Sequence, residues 1–402
     1  MRRRMHLSAV FEEGETMACL RTTTKLRAVM MAYALMSSPT SATVVTATET
    51  TLSAVFNRAV GGDTIKLLGN FDRAYLANRN FDRIVSLDAS QATFSGTLTI
   101  ENIQRVALNG GTFNIGANGS YAKGVAVYGG AHVYLDNLTI YGSANGLINQ
   151  FGIAASSTYN LQVTHSRFNG LASGIAVGGL GGGFLAANNF IGSTSDGIDI
   201  SDSHGTLATG NVCSGGHPGP SAHPDCIQLW SVPGHPLESD ITVTNNRAYG
   251  PTAGFTDFDA GLRIKLSGNI VESSFIHGVS CYDCINSTIT NNKVSTLAGS
   301  PYQTQVIVSR GSGNIVSGNI ITPYIPQSNK QALKSDPVVD LFSHRALDTV
   351  EFSTANDWLV YPTEGTLTAV PEPSTWVLYV VGLCAAGIAR RRAIRGSATV
   401  VA

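Results

Sequence analysis

Two short segments of the chain place aspartates among alternating apolar residues. The first is residues 195–200 (SDGIDI) and the second is residues 224–229 (PDCIQL). In both, aliphatic residues recur at every second position, which predicts a strand buried on one face. If the two strands stack in register, Asp199 lies beside Gln228 on the exposed face. Carboxylates and amides at such a surface suit proton transfer and hydrogen bonding to a polar ligand.

Two later segments repeat the pattern, namely residues 261–265 (GLRIK) and 278–282 (GVSCY). An aromatic ring can stack on a sugar, and a cation can hold a uronate carboxylate. A face that combines these groups with carboxylates and amides therefore suits a carbohydrate chain. Stacked together, the four strands predict two outward columns, Asp199, Gln228, Arg263 and Ser280 in one and Ser201, Trp230, Lys265 and Tyr282 in the other.

These positions divide into two predicted roles. The predicted catalytic residues are Asp196, Asp225, Lys265 and His277, and the predicted substrate-binding residues are Asp199, Gln228, Trp230, Arg263 and Tyr282. The alternatives are structural, because the aspartates that begin the segments can simply cap turns and the cations can form a solvated row. A Ca²⁺ ion held by neighbouring aspartates is a further alternative. No loop spacing supports it, so no metal ligand is predicted.

Four cysteines lie within the repetitive part of the chain, Cys213, Cys226, Cys281 and Cys284. Three arrangements are open: free thiols packed in the core, a Cys213–Cys226 disulfide, or a metal site. The C-x-x-C spacing of the last two is typical of half a zinc site or of a redox pair. No second pair accompanies it in the sequence.

The composition favours short strands and tight turns. The 402 residues carry a net charge of −1, only 13% are charged, and 43 are glycine. A nearly neutral chain offers no basic surface for nucleic acid. Amphipathic helical patterns of 10–15 residues do not recur, which argues against alternating strands and helices.

A loose repeat runs from about residue 63 to residue 325. Its mark is an aliphatic strand followed by an Asn, Asp, Ser or Gly turn, as in residues 133–137 (VYLDN), 184–189 (FLAANN) and 241–246 (ITVTNN). Asn tolerates left-handed φ, and stacked Asn side chains can hydrogen-bond along an array. Residues 51–60 predict a short amphipathic helix that caps the array. An antiparallel sandwich is the alternative, although it does not require Asn at a repeated position.

This repeat resembles the right-handed parallel β-helix (pectate-lyase-like) superfamily over most of the chain. The fold class that the resemblance implies is all-β, a parallel β-helix solenoid with a short N-terminal capping helix. Residues 196–200, 225–227 and 263–265 are similar to three motifs of the polygalacturonase family. That likeness implies an inverting hydrolase with Asp196 and Asp225 in the site and Arg263 and Lys265 on the substrate. Pro224 stands where the family has another aspartate.

Two other activities remain open beside the hydrolase. A uronan lyase or epimerase needs a cation to neutralise the uronate and a base to take its proton. Arg263 would be that cation, and Lys265, His277 or Tyr282 would act on the proton. A non-catalytic matrix or surface protein that merely binds glycan is the alternative from another class. The sequence predicts a monomer acting on an acidic polysaccharide, with no certain cofactor.

The two ends of the chain predict export. Residues 1–42 have the basic, apolar and small-residue order of a signal peptide. Residues 326–369 lose the repeat and are predicted to form a cover and spacer. Residues 370–392 contain Pro-Glu-Pro, an apolar run at 376–389 and three arginines, and residues 393–402 form a tail. This arrangement resembles the PEP-CTERM sorting signal of Gram-negative bacteria, which implies transient membrane insertion, cleavage by an exosortase and release to the cell surface or extracellular matrix.

Overall fold

The structure, a computed structural model, describes residues 42–143, 149–218 and 224–322. These residues form one helix, α1 (Glu49–Arg58), and 29 strands. Within them, no helix is long and apolar enough to cross a membrane. The predicted signal peptide, the spacer, the sorting signal at 370–392 and the tail lie outside the described residues, apart from Ala42.

The strands are short in most of the chain and long at its start. In chain order they are β1 (Val44–Ala47), β2 (Thr64–Phe71), β3 (Ala74–Phe94), β4 (Leu98–Asn109), β5 (Thr112–Asn114), β6 (Lys123–Tyr128), β7 (Ala131–Asp136), β8 (Thr139–Tyr141), β9 (Phe151–Ser156), β10 (Tyr159–Thr164), β11 (Arg167–Asn169), β12 (Ser173–Gly178), β13 (Gly181–Ala186), β14 (Asn189–Ile191), β15 (Ile198–Ser201), β16 (Leu207–Thr209), β17 (Val212–Ser214), β18 (Asp225–Trp230), β19 (Thr242–Thr244), β20 (Arg247–Gly250), β21 (Ala253–Asp257), β22 (Lys265–Ser267), β23 (Ile270–Ser273), β24 (His277–Tyr282), β25 (Thr288–Thr290), β26 (Lys293–Thr296), β27 (Gln305–Ser309), β28 (Ile315–Ser317) and β29 (Ile320–Thr322).

The strands build a parallel β-helix of about 11 turns. Each pairs in parallel with the equivalent strand of the next coil, so the coils form three sheets. The first sheet contains β6, β9, β12, β15, β18, β21, β24 and β27. The second contains β7, β10, β13, β16, β19, β22, β25 and β28. The third contains β5, β8, β11, β14, β17, β20, β23, β26 and β29.

The core is the apolar interior of this coil. Alternate residues of each strand point inward, so that aliphatic side chains stack on their equivalents in the next coil. Ile198 and Ile200, for example, pair with Ile227 and Leu229, and all four are fully buried. Replacing a side chain of this size by alanine costs about 2–5 kcal/mol.

The helix α1 packs beside the first strands, as the sequence predicts. Leu52 and Phe56 on its inner face are buried, and Phe56 meets Phe81 edge to face with ring centroids 5.5 Å apart. The guanidinium of Arg79 donates hydrogen bonds to the last carbonyls of the helix, including that of Ala59 at 2.7 Å. A basic side chain at this end satisfies carbonyls that the helix itself leaves open.

A row of buried asparagines runs along the turn between the second and third sheets. In each step, the backbone N–H and the side-chain amide of one asparagine donate to Oδ1 of the asparagine in the next coil, at 2.9–3.1 Å. The second amide hydrogen reaches a backbone carbonyl, so the side chains are satisfied throughout. The members are Asn188, Asn211, Asn246, Asn269, Asn292 and Asn319.

The residue before each ladder asparagine has left-handed φ, between 55° and 66°. Glycine holds three of these positions, and Asn245 and Asn291 hold two. In an Asn-Asn pair, therefore, the first residue makes the turn and the second joins the ladder. The predicted stacking of asparagines is confirmed, with these two tasks separated.

We expect Asn246→Ala to lower the free energy of unfolding by about 2–5 kcal/mol, because two buried donors of Asn211 lose their acceptor. Asn245→Gly is the matched control. This neighbour is exposed and has φ 57°, which glycine adopts freely, so its stability should change by less than about 0.5 kcal/mol. Urea unfolding measures both. Equal losses in the two variants would show that the ladder adds nothing specific.

Candidate functional site

The outward face of the first sheet brings together most of the predicted site residues. Asp199 pairs with Gln228 in the next coil, as predicted. Gln228 pairs with Thr256, and Thr256 with Ser280. Because their strand neighbours fill the core, these four side chains point outward. Asp199 and Gln228 are partly exposed, whereas Thr256 and Ser280 are fully buried.

Three carboxylates from two adjacent coils form the acidic part of this face. Asp196 is 5% exposed and Asp225 is 1% exposed, while Asp199 is partly open to solvent. The backbone N–H of Asp225 donates to Oδ1 of Asp196 at 2.9 Å, and Thr256 Oγ1 donates to Oδ1 of Asp225 at 2.9 Å. Each carboxylate therefore has a fixed partner, so its orientation is set before any ligand arrives.

The environment raises the pKa of two of these carboxyls. Burial lifts the pKa of Asp196 well above its ordinary value, and the charges of Asp199 and Asp225 raise it further. Burial also raises the pKa of Asp199 to about 6, against a hydrogen bond from Trp230 that lowers it. Below about pH 6, Asp196 and Asp199 therefore both keep a proton, and a protonated carboxyl that is open to solvent can act as a general acid.

Trp230 has a different task from the predicted stacking on sugar. Its ring is 8% exposed, and its Nε1–H donates to Oδ1 of Asp199 at 2.5 Å. The indole therefore positions a carboxylate. The more open rings lie on the next two coils, where Phe258 follows β21 and Tyr282 ends β24; the two rings stack nearly parallel with centroids 5.9 Å apart. His277 Nε2 is 3.1 Å from the hydroxyl of Tyr282.

Arg263 and Lys265 do not lie on this face, so their predicted place in the columns is wrong. Lys265 belongs to the second sheet, where it pairs with Thr242 and Thr288. Arg263 lies in the turn before that strand and makes a bidentate ion pair with Asp240 at 2.6 Å. Both are exposed on another flank of the coil.

The misplacement has a physical reason. Aliphatic–polar–aliphatic segments occur on all three sheets, so alternation alone does not say which sheet a strand joins. The strand that follows β18 in the first sheet is β21. The sequence does contain a signal for strands of the first sheet. In most of them the residue just before the first inward-facing side chain is glycine, at positions 152, 174, 197, 254 and 278. A Cβ at Gly254 would lie 1.8 Å from the carbonyl oxygen of Gly278, so the stacking admits only glycine there.

Cys226 occupies the position of this glycine in its own coil, and its sulfur is part of a disulfide. A disulfide joins it to Cys213 of the third sheet, which pairs with Phe190 of the preceding coil. A cross-link thus stands where two earlier coils pack a phenylalanine ring against a glycine, Phe168 at Gly152 and Phe190 at Gly174. Cys281 and Cys284 form a second disulfide. Of the three arrangements left open by the sequence, the structure has the Cys213–Cys226 disulfide, whereas the disulfide between Cys281 and Cys284 was not among them.

Other polar side chains of the same two coils are scattered. Asp202 holds His235 at 2.6 Å and accepts the backbone N–H of Val232 at 2.7 Å, which fixes the segment after β18. His204 and His217 are exposed, and His223 lies outside the described residues. Sequence reasoning missed Thr256, Phe258 and the buried pair Glu238 and Asp257, which become visible only once the coils are aligned.

Comparison with known proteins agrees with the fold. A family described as "right handed beta helix region" matches residues 84–221, which fits the predicted right-handed parallel β-helix. No curated protein matches the chain.

Solved structures with a similar coil include an alginate lyase from Paenibacillus sp., at 16% identity and TM-score 0.45, over 68% of this chain and 99% of that one. A surface adhesin of Streptococcus pneumoniae has 10% identity and TM-score 0.44, over 69% and 82%. A DFA-IIIase mutant from Arthrobacter chlorophenolicus A6 has 11% identity and TM-score 0.48, over 70% and 85%. At such identities the likeness is one of fold alone.

The stability of the protein should fall as pH rises from about 4 to about 7. Burial raises the pKa of Asp199 to about 6 and that of Asp257 to about 7 in the folded protein, so between pH 4 and pH 7 the folded protein binds more protons than the unfolded chain. The stabilisation from these bound protons is complete below the pKa values of the unfolded chain and is lost above those of the folded protein. Asp199→Asn keeps an acceptor for Trp230 and removes one titrating group. Urea unfolding at pH 5 and pH 8 should show a smaller loss in this variant; an unchanged loss would contradict the assignment.

Proposed function

We propose that the protein binds and hydrolyses a polysaccharide along the first sheet. The observation that carries the proposal is the cluster of Asp196, Asp199 and Asp225 on adjacent coils, with fixed hydrogen-bond partners and one member open to solvent. Parallel coils repeat evenly, so their outward face offers a polymer one similar step per coil. The rings of Phe258 and Tyr282 continue the same face and provide apolar surface for sugar.

The three carboxylates take different roles in this proposal. Asp199 is the proton donor to the glycosidic oxygen, because it is the most exposed of the three and burial keeps its proton to about pH 6. Asp225 is the base that activates water, as the second carboxylate of an inverting pair. Asp196 is a positioning residue, since it holds the backbone N–H of Asp225.

Hydrolysis fits this face better than β-elimination. The strands β15, β18, β21 and β24 contain no Lys or Arg, and Arg263 is engaged by Asp240 on another flank. A lyase needs a cation beside the uronate carboxylate. β-Elimination of a uronate on this face would therefore require a bound cation such as Ca²⁺, and assaying unsaturated products with and without a chelator tests that alternative.

Glycan binding without turnover is the second candidate, and one observation favours it. Asp196 and Asp225 are almost fully buried, so a substrate reaches them only at their edges. One experiment distinguishes hydrolysis of the glycan from binding without turnover. Purified protein that is retained on a polysaccharide column, yet releases no reducing ends from any glycan of a panel, is a binder.

Export and release by an exosortase are proposed from the sequence of the two ends. They would bring a glycan-active protein to an exopolysaccharide matrix. Mass spectrometry of the exported protein tests the processing step, because an intact segment from 376 to 392 would contradict it.

We expect Asp199→Asn to lower kcat about 10²–10⁴-fold, because the amide cannot donate the proton. The same change at Asp240, which lies in the turn before β19 on another flank, is the matched control and should leave kcat within about twofold. In the unmodified protein, kcat should fall as pH rises above about 6, since Asp199 then loses its proton. A reducing-end assay measures all three. Full activity of the first variant would exclude Asp199 as the acid.

A further inference from the structure

The outward face of the first sheet is almost uncharged outside the aspartate cluster. Asp199 is the only charged member of one outward column, and its neighbours in register are Ala176 and Gln228. The column consists of Ala126, Ala154, Ala176, Asp199, Gln228, Thr256, Ser280 and Ile307. The column beside it contains Tyr128, Ser156, Gly178, Ser201, Trp230, Tyr282 and Ser309. A polymer that lies along this sheet therefore meets carboxylates at one place and uncharged groups elsewhere.

The edge of this face towards the second sheet carries further aspartates. Asp202 directly follows β15, Asp259 lies shortly after β21, and Asp283 directly follows β24. Asp202 lies 2.6 Å from Nδ1 of His235, and Asp283 lies 2.7 Å from the guanidinium of Arg310. Both basic side chains are thus engaged by carboxylates of the protein itself.

Lysine and arginine are nearly absent from the strands of the first sheet. From β6 to β27 these strands contain one such residue, Lys123 at the start of β6, three coils from Asp199. Its Nζ donates to the carbonyl of Tyr121 at 3.3 Å, and burial lowers the pKa of this amine. The expectation of an acidic polymer depends on Arg263 and Lys265, and both lie on another flank of the coil.

Within the described residues, a ligand carboxylate beside the aspartate cluster meets no compensating side chain. Ionised carboxylates a few ångströms apart repel each other unless a cation or hydrogen-bond donors offset the repulsion. The side-chain donors beside the cluster are already committed, since Trp230 donates to Asp199 and Thr256 donates to Asp225. Gln228 is partly exposed, and its amide both donates and accepts hydrogen bonds, as a sugar hydroxyl does.

We propose that the first sheet selects an uncharged glycan and excludes polymers that carry a carboxylate on each sugar. This inference rests on the proposed function, because it names the class of polymer that the same face binds. Sugar hydroxyls donate to the open carboxylate of Asp199 and pair with the amide of Gln228, while the apolar side of a sugar covers Phe258 and Tyr282. Repulsion of the wrong polymer supplies the specificity.

Polymers that differ only in charge test this selection. The probes are polygalacturonate, alginate, a galactan, a mannan and a β-glucan, each in its native form and in the form of opposite charge state. Carboxyl reduction makes the uronans uncharged, and oxidation of primary hydroxyls gives the neutral polymers carboxylates. Isothermal titration of the purified protein at pH 8, at low ionic strength and with a chelator present, compares the two forms of each polymer.

We expect each polymer that binds to do so at least tenfold more tightly in its uncharged form, because like charges face each other in the other form. About 0.5 M salt should narrow this ratio, since it screens the repulsion. A carboxylated form that binds as tightly as its uncharged partner overturns the selection and leaves the proposed function standing. Binding by none of the polymers in either form overturns the proposed function, and the selection with it.

A variant that adds a cation beside the cluster tests the cause of the selection. Gln228→Lys places an ammonium at the register neighbour of Asp199 and should narrow the ratio between uncharged and carboxylated forms at least threefold. Thr209→Lys adds the same charge to the second sheet, as the matched control, and should leave the ratio within about twofold. If Gln228→Lys does not fold, the salt dependence of the unmodified protein decides. A ratio that a folded Gln228→Lys or added salt leaves unchanged contradicts repulsion as the cause.

Discussion

The structure depends on the register between successive coils. Each coil can bury its apolar face only against its neighbours, so a shift of one residue would turn core side chains outward. The asparagine ladder fixes this register, because every Oδ1 from Asn211 to Asn319 accepts two donors from the preceding coil. These bonds are buried and directional. They specify one alignment, whereas stacked aliphatic side chains tolerate small shifts.

Register is also what assembles the chemistry. Asp199 and Asp225 come from different coils, and the partners that orient them, Trp230 and Thr256, come from a neighbouring coil in each case. The same alignment delivers Asp257 to Cys284 in the core.

The sequence predicted the fold because the repeat leaves a mark in every coil, namely strand alternation followed by an Asn or Gly turn. It predicted Asp199 beside Gln228 for the same reason. It misplaced Lys265, because aliphatic–polar–aliphatic alternation is alike on all three sheets, and the glycine that precedes the first core position in most strands of the first sheet was not used as a signal. Burial of Trp230 depends on segments that cover the face, and alternation carries no information about them. The roles of the site residues remain predictions.

The central claim is that glycan binds on the first sheet and not on the second. Affinity electrophoresis in gels that contain polysaccharide tests it directly with two variants of similar size change. Tyr282→Ala removes an aromatic ring from the first sheet, and Lys265→Ala removes a cation from the second. The account predicts that Tyr282→Ala loses retardation by the glycan that retards the unmodified protein, while Lys265→Ala migrates as that protein does. Loss of retardation in Lys265→Ala alone would contradict it.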